Sequence, residues 1–79
     1  MPTAEQLRDE ELLSIERERA AFERRQEAFF VVHRQLLPFG NGVPSNHSLD
    51  ELNDAEKEWR EACAVMDRIA AEIRSGKRR

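Results

Sequence analysis

The chain has 79 residues, of which 37% are charged and 39% hydrophobic, and its net charge is −3. This length allows one small domain and excludes nucleotide-binding α/β domains and barrel enzymes. The slight acidic excess is not the charge balance of a dedicated nucleic-acid-binding protein, and the scarcity of glycine and proline favours long polar helices.

The first predicted element is a long helix over residues 4–37. Thr3 and Gln6 have the spacing of a capping box, which begins a helix. No glycine or proline follows until Pro38, whose ring disfavours helical backbone at the residue before it. Residues 38–47 contain two of the three glycines and two of the three prolines, so this segment is predicted to be a loop.

The second predicted helix covers residues 48–75. Ser48 and Glu51 form another capping-box pattern, with Ser48 as the expected N-cap. Gly76 has the position of a residue that ends a helix in left-handed backbone. The basic tail at 76–79 is expected to fray, because chain ends are poorly ordered unless other groups hold them.

Apolar residues recur at heptad spacing in both helices and predict the seam of an antiparallel hairpin. A register in which facing residue numbers add to 84 or 85 pairs large with small side chains, such as Phe22 with Ala62. The same register brings Arg19, Gln26 and His33 to the edge of the seam. The alternative is that they are buried polar residues that set the register of a larger bundle. The predicted seam consists of Leu12, Ile15, Phe22, Phe29 and Leu36 from the first helix and Leu52, Ala55, Trp59, Ala62, Met66, Ile69 and Ile73 from the second.

The predicted fold class is therefore all-α, an antiparallel two-helix hairpin in one domain. Apolar residues remain outside the predicted seam and form a candidate partner interface: Leu13, Ala20, Phe30, Val31, Leu37, Phe39 and Val65. Two hairpins packed together would cover these residues in a four-helix bundle, so we expect a homodimer. A different helical protein as partner would explain the same residues.

No pattern of catalytic, cofactor-binding or metal-ligating residues stands out. His33, His47 and Cys63 lack the spacing of a metal site, and Cys63 is expected to be an inert thiol. A minimal enzyme with arginines across a dimer is a distant alternative, with Arg8, Arg19 and Arg25 as its candidates. A single cysteine and the absence of a long apolar run predict a cytoplasmic protein without a membrane span.

The expected function is a non-enzymatic protein–protein interaction module that self-associates or docks on a helical partner. The alternative is a small regulatory protein that contacts nucleic acid through arginines. The candidate residues for that alternative are Arg24, Arg25, Arg34, Arg74, Lys77, Arg78 and Arg79.

Overall fold

Two long helices packed side by side make up the structure, a computed structural model that describes residues 2–37 and 42–78. Helix α1 spans Ala4–Leu36 and helix α2 spans Asn46–Arg74. The hairpin is an elongated rod of 56 × 18 × 16 Å. The described residues contain no strand, and the prediction of an all-α hairpin is confirmed.

Helix α1 begins at the predicted capping box. The Thr3 hydroxyl accepts a hydrogen bond from the Gln6 backbone N–H at 3.1 Å, and the Gln6 side chain accepts one from the Thr3 N–H at 2.8 Å. The helix ends one residue earlier than predicted. Leu37 is its C-cap and has extended backbone, which is the conformation favoured before a proline.

The N-cap of helix α2 is Ser45, three residues before the predicted N-cap Ser48, and the helix begins at Asn46. The Ser45 hydroxyl accepts a hydrogen bond from the Ser48 N–H at 3.1 Å. Ser48 is buried in the first turn, so the predicted capping box with Glu51 is wrong. Ser45 also donates its backbone N–H to the Gln35 side chain at 3.0 Å, which ties the start of α2 to the end of α1. Residues 38–41 of the predicted loop lie outside the described residues.

The end of α2 has the predicted glycine cap. Gly76 has a φ of 82°, a left-handed conformation that other residues rarely adopt. Its N–H donates to the Ile73 carbonyl at 3.1 Å, and the Lys77 N–H donates to the Glu72 carbonyl at 3.0 Å. These two bonds form a Schellman motif, which directs the last residues back along the hairpin.

Small side chains dominate the seam between the helices. On α2 the predicted residues do face α1, since Ala55, Ala62 and Ile69 are buried while Leu52, Trp59 and Met66 are half-buried. On α1 the buried residues are Ser14, Ala21 and Val32. No large side chain in the described ranges is fully buried. Alanines and serines on both sides allow the two helix backbones to approach closely.

The predicted α1 seam is wrong. Leu12, Ile15, Phe22, Phe29 and Leu36 are 39–55% exposed, and Ile73 at the far end of α2 is 48% exposed. The helix is rotated by one residue position, about 100°, from the predicted orientation. As a result Ser14, Ala21 and Ala28 face α2 while the large side chains turn away from it. Arg19, Gln26 and His33, expected at the seam edge, are exposed.

Contacts across the hairpin span a range of positions. Trp59 contacts Glu18, Phe22 and Arg25, so the numbers of the contacting residues add to 77, 81 and 84, a range that includes the predicted value of 84. These contacts do not contradict the predicted register. The prediction from apolar residues alone does not include the long polar side chains of Glu18 and Arg25.

Candidate functional site

A stripe of large apolar side chains runs along the outside of α1. We call Leu12, Ile15, Phe22, Phe29 and Leu36 the apolar stripe. It extends over about 36 Å of helix, at 1.5 Å per residue. Each of its members is 39–55% exposed, and Phe30 at its edge is 59% exposed. Exposed apolar surface of this extent is typical of a binding surface.

Aromatic contacts connect the stripe to neighbouring residues. The rings of Phe22 and Trp59 lie 6.5 Å apart between centroids and are tilted by 53°. The ring of His33 stacks on Phe29 with a centroid separation of 6.3 Å and an angle of 11°. Trp59 therefore extends the stripe from α1 onto α2, and the two phenylalanine rings each have a fixed neighbour.

The opposite side of the hairpin is charged. Arg24 follows Phe22 by two residues and therefore projects to the other side of the seam. Its guanidinium pairs with Glu58 and lies 3.8 Å from Glu51, and both partners are on α2. Beside this pair is an open groove of about 330 Å³, lined by Arg24, Glu27, Ala28, Val31, His47, Ser48 and Glu51. The stripe therefore lies on one long side of the hairpin, and the ion pairs of Arg24 and the groove lie on the other.

The centre of the seam contains a polar cluster around Trp59. The indole N–H donates to the Glu18 carboxylate at 3.2 Å. The Arg25 guanidinium lies 5.0 Å from the Trp59 ring centroid, within the range of a cation–π interaction, and 3.7 Å from the Glu56 carboxylate. The indole is held between an acid and a base, so its position along the hairpin is well defined.

The C-terminal segment is tied to the start of α1 by Arg78, whose side chain is only 6% exposed. Its guanidinium pairs with Glu10 at 2.6 Å, Glu72 at 3.3 Å and Glu11 at 3.5 Å. It also donates to the Leu7 carbonyl at 3.3 Å. The expectation of a frayed tail is therefore wrong at Arg78.

The carboxylates around Arg78 also affect its protonation. Desolvation by burial lowers the pKa of Arg78, but the hydrogen bond that Arg78 donates to Glu10 and the charges of Glu10, Glu72 and Glu11 together raise that pKa above its ordinary value. The guanidinium remains charged and paired.

The basic residues proposed to contact nucleic acid fall into two groups, those that form ion pairs in the structure and those that do not. Arg24, Arg25 and Arg78 are in ion pairs with glutamates, so their charge is neutralised locally. Arg34, Arg74 and Lys77 have no ion-pair partner among the described residues, and Arg79 lies outside them. The structure does not bring these residues together into a basic patch, because Arg34 and Arg74 lie near opposite ends of the rod.

The predicted partner interface is only partly exposed. Leu13 and Phe30 are more than half exposed and Ala20 is exposed, whereas Val31, Leu37 and Val65 are half-buried. Phe39 lies outside the described residues. The larger exposed surface is the apolar stripe, whose members were assigned to the seam.

Cys63 is half-buried beside the polar cluster. Desolvation raises the pKa of its thiol, and the negative charges of Glu18 and Asp67 raise it further. Within residues 2–37 and 42–78 no three His, Cys, Asp or Glu side chains are grouped so that they could hold a metal ion. In the same ranges neither helix is both long and apolar enough to cross a membrane.

Comparison of the chain with known protein families, with curated proteins and with solved structures finds no match.

Proposed function

We propose that the chain is a non-enzymatic protein–protein interaction module that binds through the apolar stripe of α1. The observation that supports this function most directly is that the seam buries small side chains while the large apolar side chains of α1 stay exposed. The seam buries Ala21 and Ala62, whereas Phe22 and Phe29 are left 39% and 50% exposed. A row of five large apolar side chains along one helix, each 39–55% exposed, is more apolar surface than a soluble monomer usually presents and indicates a binding partner.

The shape of the stripe favours a helix as the partner element. Ile15, Phe22, Phe29 and Leu36 recur every seven residues, which is the spacing of one helix packing along another. The ion pairs of Arg24 on the other side of the hairpin favour binding on one side only. The proposal includes a reducing cytoplasmic location, which the single cysteine supports.

Site-specific photo-crosslinking tests this function. A benzophenone amino acid replaces Phe29 in one variant and Lys57 in a matched control, since Lys57 is exposed on the outer side of α2. Both variants are irradiated as purified protein and in a lysate of the native host. We expect a protein adduct, either with a second copy or with another protein, from position 29 and not from position 57. Absence of an adduct from position 29 in both samples would overturn the proposed function.

A further inference from the structure

We infer that the partner of the apolar stripe is a second copy of the chain, packed so that α1 of one copy runs antiparallel to α1 of the other. This inference rests on the proposed function, since it names the occupant of the same surface. Three observations support it: the area of the stripe, the positions of its ends and the distribution of charge along α1.

The exposed area is sufficient for a dimer. Five stripe members and Phe30 are each about half exposed. If a large apolar side chain presents roughly 200 Å² when free, these six residues offer about 600 Å² per copy. Two copies then bury about 1,200 Å², which is at the lower limit of specific protein–protein interfaces. No additional protein is needed to reach that limit.

The stripe is compatible with an antiparallel copy of itself. Its ends, Leu12 and Leu36, are equally far from residue 24, which places the two-fold axis near that residue. In this arrangement Leu12 of one copy faces Leu36 of the other. Phe29 faces Arg19, whose guanidinium can stack on the aromatic ring. Phe22 faces Gln26 and Ile15 faces His33, so each apolar member is opposite either another apolar residue or a polar side chain whose carbon atoms can cover it.

Charge selects the antiparallel arrangement over the parallel one. Along one edge of the stripe, at seven-residue intervals, lie Asp9, Glu16, Glu23, Phe30 and Leu37. An antiparallel dimer brings the same edge of the two helices together in reverse order, so Glu16 of one copy lies near Phe30 and Arg34 of the other. In a parallel dimer Glu16 and Arg34 of different copies stay 18 residues apart along the helix, about 27 Å, so this pair does not form. Glu23 lies beside its own copy near the two-fold axis of the antiparallel dimer, which is unfavourable, but the pairing of Glu16 with Arg34 occurs twice. Neither Glu16 nor Arg34 has an ion-pair partner among the described residues, so both are free to pair between copies.

Distances between spin labels test the arrangement, because they depend on helix direction. The native thiol is removed by Cys63→Ser, and a nitroxide is attached after Asp9→Cys in one variant and after Glu23→Cys in a matched control. Both positions are exposed and lie on the same edge of the stripe. In the antiparallel dimer the labels at position 9 are about 45 Å apart, whereas those at position 23 are within about 20 Å of each other. Sedimentation equilibrium on the same samples gives the mass.

The outcomes separate this inference from the proposed function. A dimer mass with the long distance at position 9 and the short one at position 23 supports the inference. Short distances at both positions indicate a parallel dimer and overturn the antiparallel arrangement while leaving the proposed function intact. A monomer in solution overturns the inference; if position 29 then crosslinks to another protein, the proposed function stands, and if it crosslinks to nothing, both fail.

Discussion

The indole N–H of Trp59 on α2 donates a hydrogen bond to the carboxylate of Glu18 on α1, at 3.2 Å across the middle of the hairpin. Both residues occupy heptad positions that face the opposite helix. Small side chains at the neighbouring positions give little resistance to sliding, so a directional bond of this kind can fix how far one helix is displaced along the other. Arg25, which contacts both Trp59 and Glu56, adds a second constraint on the register.

Removing the indole N–H should destabilise the hairpin. In Trp59→Phe the Glu18 carboxylate loses its donor at a half-buried position, and we expect the free energy of unfolding to fall by about 1–2 kcal/mol. Urea unfolding measures the effect. A double-mutant cycle with Glu18→Gln should give a coupling energy of at least about 0.5 kcal/mol, and Glu61→Gln, which alters an exposed acid on the outer side of α2, serves as control. Additive effects of the two substitutions would show that the bond contributes nothing.

Enlarging a small seam residue should separate the helices. Ala62 is 4% exposed, so Ala62→Leu adds volume where the backbones approach closely, and we expect a loss of about 1–3 kcal/mol in the free energy of unfolding. The matched control is Ala64→Leu, two residues away on the exposed side of α2, which should change stability by less than about 0.5 kcal/mol. Equal effects of the two substitutions are incompatible with the seam described above.

The C-terminal contact should hold the open end of the hairpin together. Arg78→Ala removes the pairs with Glu10, Glu11 and Glu72, and we expect faster amide hydrogen exchange over the first three turns of α1. Lys77→Ala is the control because Lys77 is exposed and has no ion-pair partner in the described residues. Added salt should reduce the difference between wild type and Arg78→Ala, since it screens the same charges. Unchanged exchange in Arg78→Ala would contradict a stabilising role for this contact.

Cys63 should react slowly with alkylating reagents. Burial and the charges of Glu18 and Asp67 raise the pKa of its thiol, so less thiolate is present near neutral pH than in an unfolded chain. We expect Asp67→Asn to increase the alkylation rate, and Asp54→Asn, which lies two to three turns away, to leave it unchanged.

The same raised pKa makes stability depend on pH. The folded thiol holds its proton to a higher pH than the unfolded thiol does. The contribution of Cys63 is therefore fully present below the unfolded pKa and is lost as pH rises through the folded value. Cys63→Ser should remove this component from a pH series of unfolding measurements. If wild type and Cys63→Ser lose stability equally as pH rises through the alkaline range, the raised pKa of Cys63 is contradicted.

Much of the fold could be predicted from the sequence because its signals are local. Thr3 and Gln6 specify the start of α1, Pro38 limits its end, and Gly76 ends α2. The sequence predicts the start of α2 at Ser48 because Glu51 follows it by three residues, the spacing of a capping box. In the structure Ser45 caps the helix instead, and its hydroxyl accepts from the Ser48 N–H.

The orientation of α1 could not be predicted by assuming that the largest apolar residues face the other helix. Ser14, Ala21 and Ala28 form a series of small residues at intervals of seven, and Ser48, Ala55 and Ala62 form a matching one on α2. This matching pair of small series was the signal that was missed. Close approach of two helices requires small side chains on both, and large residues on α1 are then left for another surface.

If the apolar stripe is the contact surface between two copies, thermal unfolding must depend on protein concentration, and no other measurement tests that role of the stripe more directly. Diluting a dimer a hundredfold lowers its free energy of unfolding by about 2.7 kcal/mol. With roughly 2.1 cal/mol/K of unfolding entropy per residue in two chains, the wild-type Tm should fall by about 8 °C. Phe29→Asp should abolish this dependence, and Lys57→Asp, on the outer side of α2, should keep it. A wild-type Tm that stays constant over the same dilution would contradict that role of the stripe.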